Sequence, residues 1–171
     1  MKSHKLPINP VDVFVAPMLN LPAWGVKKGH GSFLTFEFGE PKLEVVESKL
    51  ADGKFRRNAH VHGDWHLWIY CCNWRIFQLD EQIAWSESDD KLIGKATAIL
   101  NGQKLTSVTV EPQQGSSAFI FDLGGKLETW SYGDDPTDEQ WMFYGPAKVL
   151  GYRADGKFSL NRADAQADYE G

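Results

Sequence analysis

A chain of 171 residues with 42% apolar and 24% charged side chains has ordinary globular composition and is short for two independent cores, which argues against a second domain and against extended disorder. Its formal charge of −5 comes without any concentration of Lys or Arg, which disfavours binding to a nucleic-acid backbone. No segment approaches the ~20 apolar residues of a membrane-crossing helix, and the only cysteines, the neighbours Cys71 and Cys72, form no disulfide framework, as expected of a cytoplasmic protein.

Residues 1–28 read as an irregular arm, because Pro7, Pro10, Pro17 and Pro22 each remove a backbone donor and bias the preceding residue away from helix. The arm carries enough apolar side chains, from Val11 to Trp24, to lie across the domain. The first strand is predicted over 31–39, where Phe36 and Phe38 alternate with Thr35 and Glu37. Beyond the bend at Gly39-Glu40-Pro41, a second strand runs towards Leu50, and the Asp52-Gly53 turn leads into a third, from Phe55 to Val61. These links are too short for helical crossovers, so the pieces read as a meander. The stretch from Trp65 to Phe77 places large residues on both parities, as a central strand covered on both sides would.

A helical period follows over residues 88–100, with Ser88 as its cap and Leu92, Ile93, Ala96, Ile99 and Leu100 on one stripe before Asn101-Gly102. The rival reading makes Asn101-Gly102 a hairpin turn between two strands. Strands resume at Leu105–Val110, Ala118–Leu123, Leu127–Tyr132, Gln140–Tyr144, Val149–Arg153 and Phe158–Leu160, and the polar tail 162–171 closes the chain. The expected fold is all-β or β-dominated: a two-layer antiparallel sandwich or partly open barrel of about nine or ten strands in a single domain, with one helix. The run from Phe36 to Glu44 also echoes that from Phe121 to Glu128, which suggests two related acidic, glycine-turned meanders.

The sharpest chemical cluster is His60-Val61-His62-Gly63-Asp64-Trp65-His66. In a strand, His60 and His62 project from one face about 7 Å apart, within reach of a single ion, and a turn at Gly63-Asp64 brings His66 beside them. The His-x-His pair is similar to the opening of the cupin metal motif. That motif continues with a Glu where this chain has His66 or Leu67, and with a later histidine, and none follows His66. Cys71 and Cys72 point to opposite faces of a strand and read as apolar filler.

Glu37, Glu44, Asp122 and Glu128 flank the echoed turns, a pattern open to glycoside chemistry if two of them face each other across a cleft. Trp130, Tyr132, Asp134, Asp135 and Trp141 form a candidate interaction surface of aromatic side chains rimmed by acids. Phosphate-loop, dinucleotide and nucleophile-elbow motifs are absent from the sequence. The first expectation is a binding or protein-interaction domain whose partner is another protein or a small ligand, without a cofactor. The alternatives are a divalent metal held by His60, His62 and His66, serving an enzyme or a small-molecule binder, and a carbohydrate-binding or glycoside-processing β domain.

Overall fold

The computed structural model describes residues 9–163, so parts of the expected arm 1–28 and tail 162–171 lie outside the described residues. Within the arm, Pro10 opens a helix instead of preventing one: α1 (Pro10–Val15) is capped by Asn9, whose Oδ1 accepts the Val11 N–H at 2.9 Å. Proline suits the first helical position, where its missing N–H has no intrahelical partner to lose. A single 3-10 turn, Ala16–Met18, continues it. Val11, Val15 and Met18 are at most 2% exposed, and this short helix therefore belongs to the core.

The described residues then form β1 (Trp24–Lys28), β2 (Leu34–Phe38), β3 (Lys42–Lys49), β4 (Phe55–His62), β5 (Trp65–Ile69), β6 (Cys72–Gln78) and β7 (Glu81–Trp85). The helix α2 (Asp90–Leu100) follows, and β8 (Leu105–Glu111), β9 (Ser116–Phe121), β10 (Gly125–Ser131), β11 (Glu139–Tyr144), β12 (Lys148–Arg153) and β13 (Phe158–Arg162) complete the fold. The fold is β-dominated and antiparallel, with thirteen strands and no closed barrel among the described residues. One sheet has the order β1-β2-β5-β11-β12-β13, a second has β7-β6-β10-β9-β8, and β3 and β4 pair only with each other. No helix among the described residues is long and apolar enough to cross a membrane.

The two large sheets meet through aromatic rings. Phe119 of β9 lies 5.6 Å from Trp141 and 6.0 Å from Phe143 of β11, and Phe121 stacks 6.2 Å from Phe36 of β2. A buried polar network ties the same layers together. Gln140, fully buried, accepts from Thr129 Oγ1 and donates to the Gly115 carbonyl, while the Trp141 indole N–H donates to Ser117 Oγ at 3.0 Å. Each of these groups is satisfied, as burial demands.

The stretch from Trp65 to Phe77 is not one strand. It breaks at Tyr70-Cys71, so β5 lies in the first sheet and β6 in the second. Leu67 and Ile69 face the core on odd positions, and Cys72, Trp74 and Ile76 on even ones. A chain that leaves one layer for the facing layer must exchange its core-facing parity, which is why both parities carry large residues. The cap of the helix α2 is Asp89, one residue beyond the expected Ser88. Asp89 Oδ1 accepts the Leu92 N–H at 2.8 Å, whereas Ser88 Oγ accepts the N–H of Trp85. Its buried stripe is Ile93, Ala96, Thr97 and Leu100. The echo of Phe36–Glu44 in Phe121–Glu128 does not extend to the pairing: β9 and β10 form a hairpin, whereas β2 and β3 are not hydrogen-bonded to each other.

Candidate functional site

The expected meander through β3 and β4 is instead a ribbon set apart from both sheets, every residue of β3 exposed. Its attachment explains the departure. Pro41 removes a donor at the start of β3, and Gly63 passes so close to β2 that a Cβ there would lie 2.2 Å from the Phe38 carbonyl oxygen. Only glycine permits that approach. The junction is bolted by hydrogen bonds: Glu37 Oε2 accepts the Gly63 N–H at 3.0 Å, Asp64 Oδ2 accepts the Glu40 N–H at 3.1 Å, and Lys42 Nζ pairs with Asp64 Oδ1. The ammonium of Lys42, with the Glu40 N–H, holds the Asp64 carboxyl below its usual range, and Asp64 in turn raises Lys42.

Between the ribbon and the outer face of the first sheet lies an open cleft of about 760 Å3. The ribbon contributes Lys42, Glu44, His60 and His62, which share its lower face by register, since Lys42 pairs with His62 and Glu44 with His60, and Val61 borders the cleft between the two histidines. The sheet contributes Thr35 and Glu37 from β2, His66 and Trp68 from β5 and Tyr144 from β11. On this face Thr35 stands directly opposite Trp68, and Glu37 opposite His66. Phe33 and Tyr70 back the Trp68 ring at 5.9 and 4.4 Å. Tyr144 meets the His66 ring edge-on at 5.8 Å.

The three histidines singled out by sequence thus border one cleft, but each finds a carboxylate. His60 Nε2 lies 2.9 Å and His62 Nε2 3.4 Å from Glu44 Oε2, and His66 Nδ1 lies 2.6 Å from Glu37 Oε1. His60 and His62 share Glu44 whereas His66 pairs with Glu37, and no group of three or more His, Cys, Asp or Glu among the described residues is arranged to hold a metal ion. Thr35 also lines the cleft, with its Oγ1 shut off from solvent and without a hydrogen-bond partner.

The aromatic surface expected at 130–141 is divided by the fold. Trp141 is fully buried, with Phe119 and Tyr152 at 5.6 and 5.2 Å, so it belongs to the core and not to a contact surface. Its neighbours Met142 and Phe143 are buried too, because β11 is an interior strand of its sheet. Trp130 is half-buried, 5.4 Å from the Arg75 guanidinium. Tyr132 and Asp134 are exposed, and Asp135 shapes its own loop by accepting from the N–H and hydroxyl of Thr137, which lower its pKa. Burial raises the thiol pKa of both Cys71 and Cys72, and Cys72 Sγ sits 3.4 Å from the Gln140 carbonyl.

A second hollow of about 460 Å3 lies on the outer face of the other sheet. Two of its charged groups are already joined, Arg75 to Glu128 at 2.7 Å. Sequence reasoning grouped His60, His62 and His66 but missed Thr35, Lys42, Trp68 and Tyr144. For Thr35 and Trp68 the available signal was parity, since Thr35 and Glu37, like His66 and Trp68, alternate with core residues. Comparison with protein-family models, with curated proteins and with solved structures finds no match.

Proposed function

We propose that this protein binds an uncharged, hydroxyl-rich small molecule of the saccharide class in the cleft beneath the ribbon. The observation that carries this reading is the Trp68 indole on the sheet side of the cleft, beside its cross-strand neighbour Thr35 and among carboxylates that already hold hydrogen-bonding partners. The cleft's volume lies within the range of small-molecule sites, and an indole offers a flat apolar surface to the C–H face of a sugar ring.

Hydrogen-bonding pattern decides between ligand classes. Glu37 and Glu44 each meet an imidazole nitrogen, and Asp64 meets the Lys42 ammonium, so each carboxylate of the cleft already has a partner. Paired carboxylates nevertheless keep spare lone pairs: of about four acceptor sites on each, Glu37 uses one on His66 and one on the Gly63 N–H. Hydroxyl groups fit such a surface because they donate and accept at once.

The test is a titration of the untagged full chain with neutral mono- and oligosaccharides, with amines, with inorganic phosphate and with zinc, read by tryptophan fluorescence and amide NMR shifts. Saturable binding is expected from neutral sugars alone, with shifts centred on His66 and Trp68, and is expected to be lost in Trp68→Ala. Saturation by zinc that vanishes in His60→Ala would replace this reading with the metal one. Silence from every neutral sugar would end it.

A further inference from the structure

The ribbon's two faces differ. Its lower face borders the cleft, whereas register places Leu43 beside Val61, Val45 beside Ala59, Glu47 beside Arg57 and Lys49 beside Phe55 on the upper face. Leu43, Val45, Phe55 and Val61 are 70, 55, 66 and 51% exposed. A two-stranded ribbon alone in water is marginally stable, and an exposed apolar stripe of this kind marks a contact surface. We infer that the upper face of the ribbon docks on the same face of a second copy of this chain, forming a two-fold dimer.

A second copy fits because the face is complementary to itself. A two-fold axis running along the ribbon above its midline lays β3 of one copy over β4 of the other, with levels along the ribbon preserved. Leu43 then covers the other copy's Val61, Val45 covers Ala59, and Lys49 meets the Phe55 ring. Glu47 faces Arg57 in both directions. Within one chain Glu47 and Arg57 already pair at 2.8 Å, so the dimer brings two such pairs into a ring of four alternating charges, which favours this partner over a like-charged surface. Because the lower face is turned to the chain's own cleft, the two bodies lie on opposite sides of the paired ribbons and do not collide.

Eight residues at ~3.3 Å each make a face roughly 26 Å long. Two such faces with their side chains bury at most on the order of 1,000 Å2 in total, the size of a weak, concentration-dependent interface. The packed ribbons are the smallest case of two sheets stacked face to face, ~10 Å apart. This inference does not depend on what the cleft binds, since the two functions use opposite faces.

Sedimentation velocity of the full chain over a concentration series tests it. The wild type is expected to dimerise, and Arg57→Glu and Glu47→Arg, each creating like-charge contacts, are each expected to weaken dimerisation by roughly tenfold or more. Mixing these two variants is expected to restore association as a heterodimer, because the two acidic positions of the first variant then face the two basic positions of the second. Val45→Lys is expected to leave a monomer with an unchanged circular dichroism spectrum, as the ribbon lies outside the core. A wild type that stays monomeric throughout the series overturns the inference. So does a dimer indifferent to both charge variants and to Val45→Lys, or a mixture that does not associate.

Discussion

Glu37→Ala removes the acceptor that joins the ribbon to the body. The carboxylate is 12% exposed and holds two bonds, from the buried Gly63 N–H at 3.0 Å and from His66 Nδ1 at 2.6 Å. Hydrogen bonds to a charged group contribute about 1.5–3 kcal/mol each, but the two losses are unequal here. His66 is 30% exposed and borders an open cleft, so water replaces much of its lost partner. Gly63 lies against the Phe38 backbone and its N–H is left orphaned, so the expected net loss is about 3 kcal/mol. Glu37→Gln keeps an acceptor for Gly63 and offers its amide to a neutral His66, which limits the loss to about 1 kcal/mol. Urea unfolding followed by tryptophan fluorescence, with both variants fitted to the wild-type slope, measures the difference. Equal losses in the two variants would show that charge and not hydrogen bonding secures the junction, and an alanine variant within ~0.5 kcal/mol of wild type would refute the account altogether.

Gly63→Ala forces a methyl group against the Phe38 carbonyl and is expected to destabilise by about 2 kcal/mol, with amide NMR shifts spreading through the ribbon base and the cleft. Leu79 and Asp80 adopt φ of 48° and 65° in the two-residue turn from β6 to β7, and Leu79 is 75% exposed. Leu79→Asn places a residue tolerant of that conformation there and is expected to stabilise by about 1 kcal/mol, raising Tm by about 2–4 °C in a calorimetric scan; an unchanged Tm would show that no strain resides in the turn. Asp64 titrates below its ordinary 3.8, so its contribution is complete above that pH and is lost as pH falls through the folded value. Lys42, raised above 10.5, contributes fully below that pH and loses its part as pH rises through its own folded value. Hydrogen exchange at Glu40 is accordingly expected to stay protected, after correction for intrinsic rates, from pH 5 to 9, and loss of protection within that window would contradict the pairing. Cys72, buried and with a raised thiol pKa, is expected to resist iodoacetamide in the folded protein and to react on unfolding; labelling at native pH at a rate like that of a free thiol would show the β5–β6 crossing to be open.

The β-dominated architecture was legible because it rests on short alternating segments and glycine turns, each a local signal. Phe36 and Phe38 against Thr35 and Glu37 specify one buried face without knowledge of any partner. What was not legible is where a strand goes after its turn. The run from Trp65 to Phe77 looked continuous, since a parity exchange between layers and a strand buried on both faces leave the same composition. The arm was read as irregular because prolines were weighed as breakers, although Asn9-Pro10 is a helix start when Val11 and Val15 have a core to enter. Trp141 was placed on a surface because the large residues of β11 occupy both parities, and an interior position in the sheet resolves that differently. The histidine cluster was found as a cluster, but its partners Glu37 and Glu44 come from other strands, and only register identifies them.

The ribbon is where local and global demands part. In both large sheets the apolar positions have a facing layer, and burial alone accounts for their identity. The β3–β4 pair has none, yet one side carries Leu43, Val45, Val61 and Phe55, and the other is mostly polar, with Lys42, Glu44, His60 and His62 beside a single valine, Val46. A solvated hairpin with no further role gains nothing from Leu43, Val45 and Phe55 in water, and lysine or threonine would hold the same turn with less risk of aggregation. The residue types on each face therefore answer to what lies against that face. The lower one meets the cleft, where imidazoles and carboxylates hydrogen-bond to each other. The upper one repeats apolar and oppositely charged groups at matching levels, so that its own image is the surface it fits best.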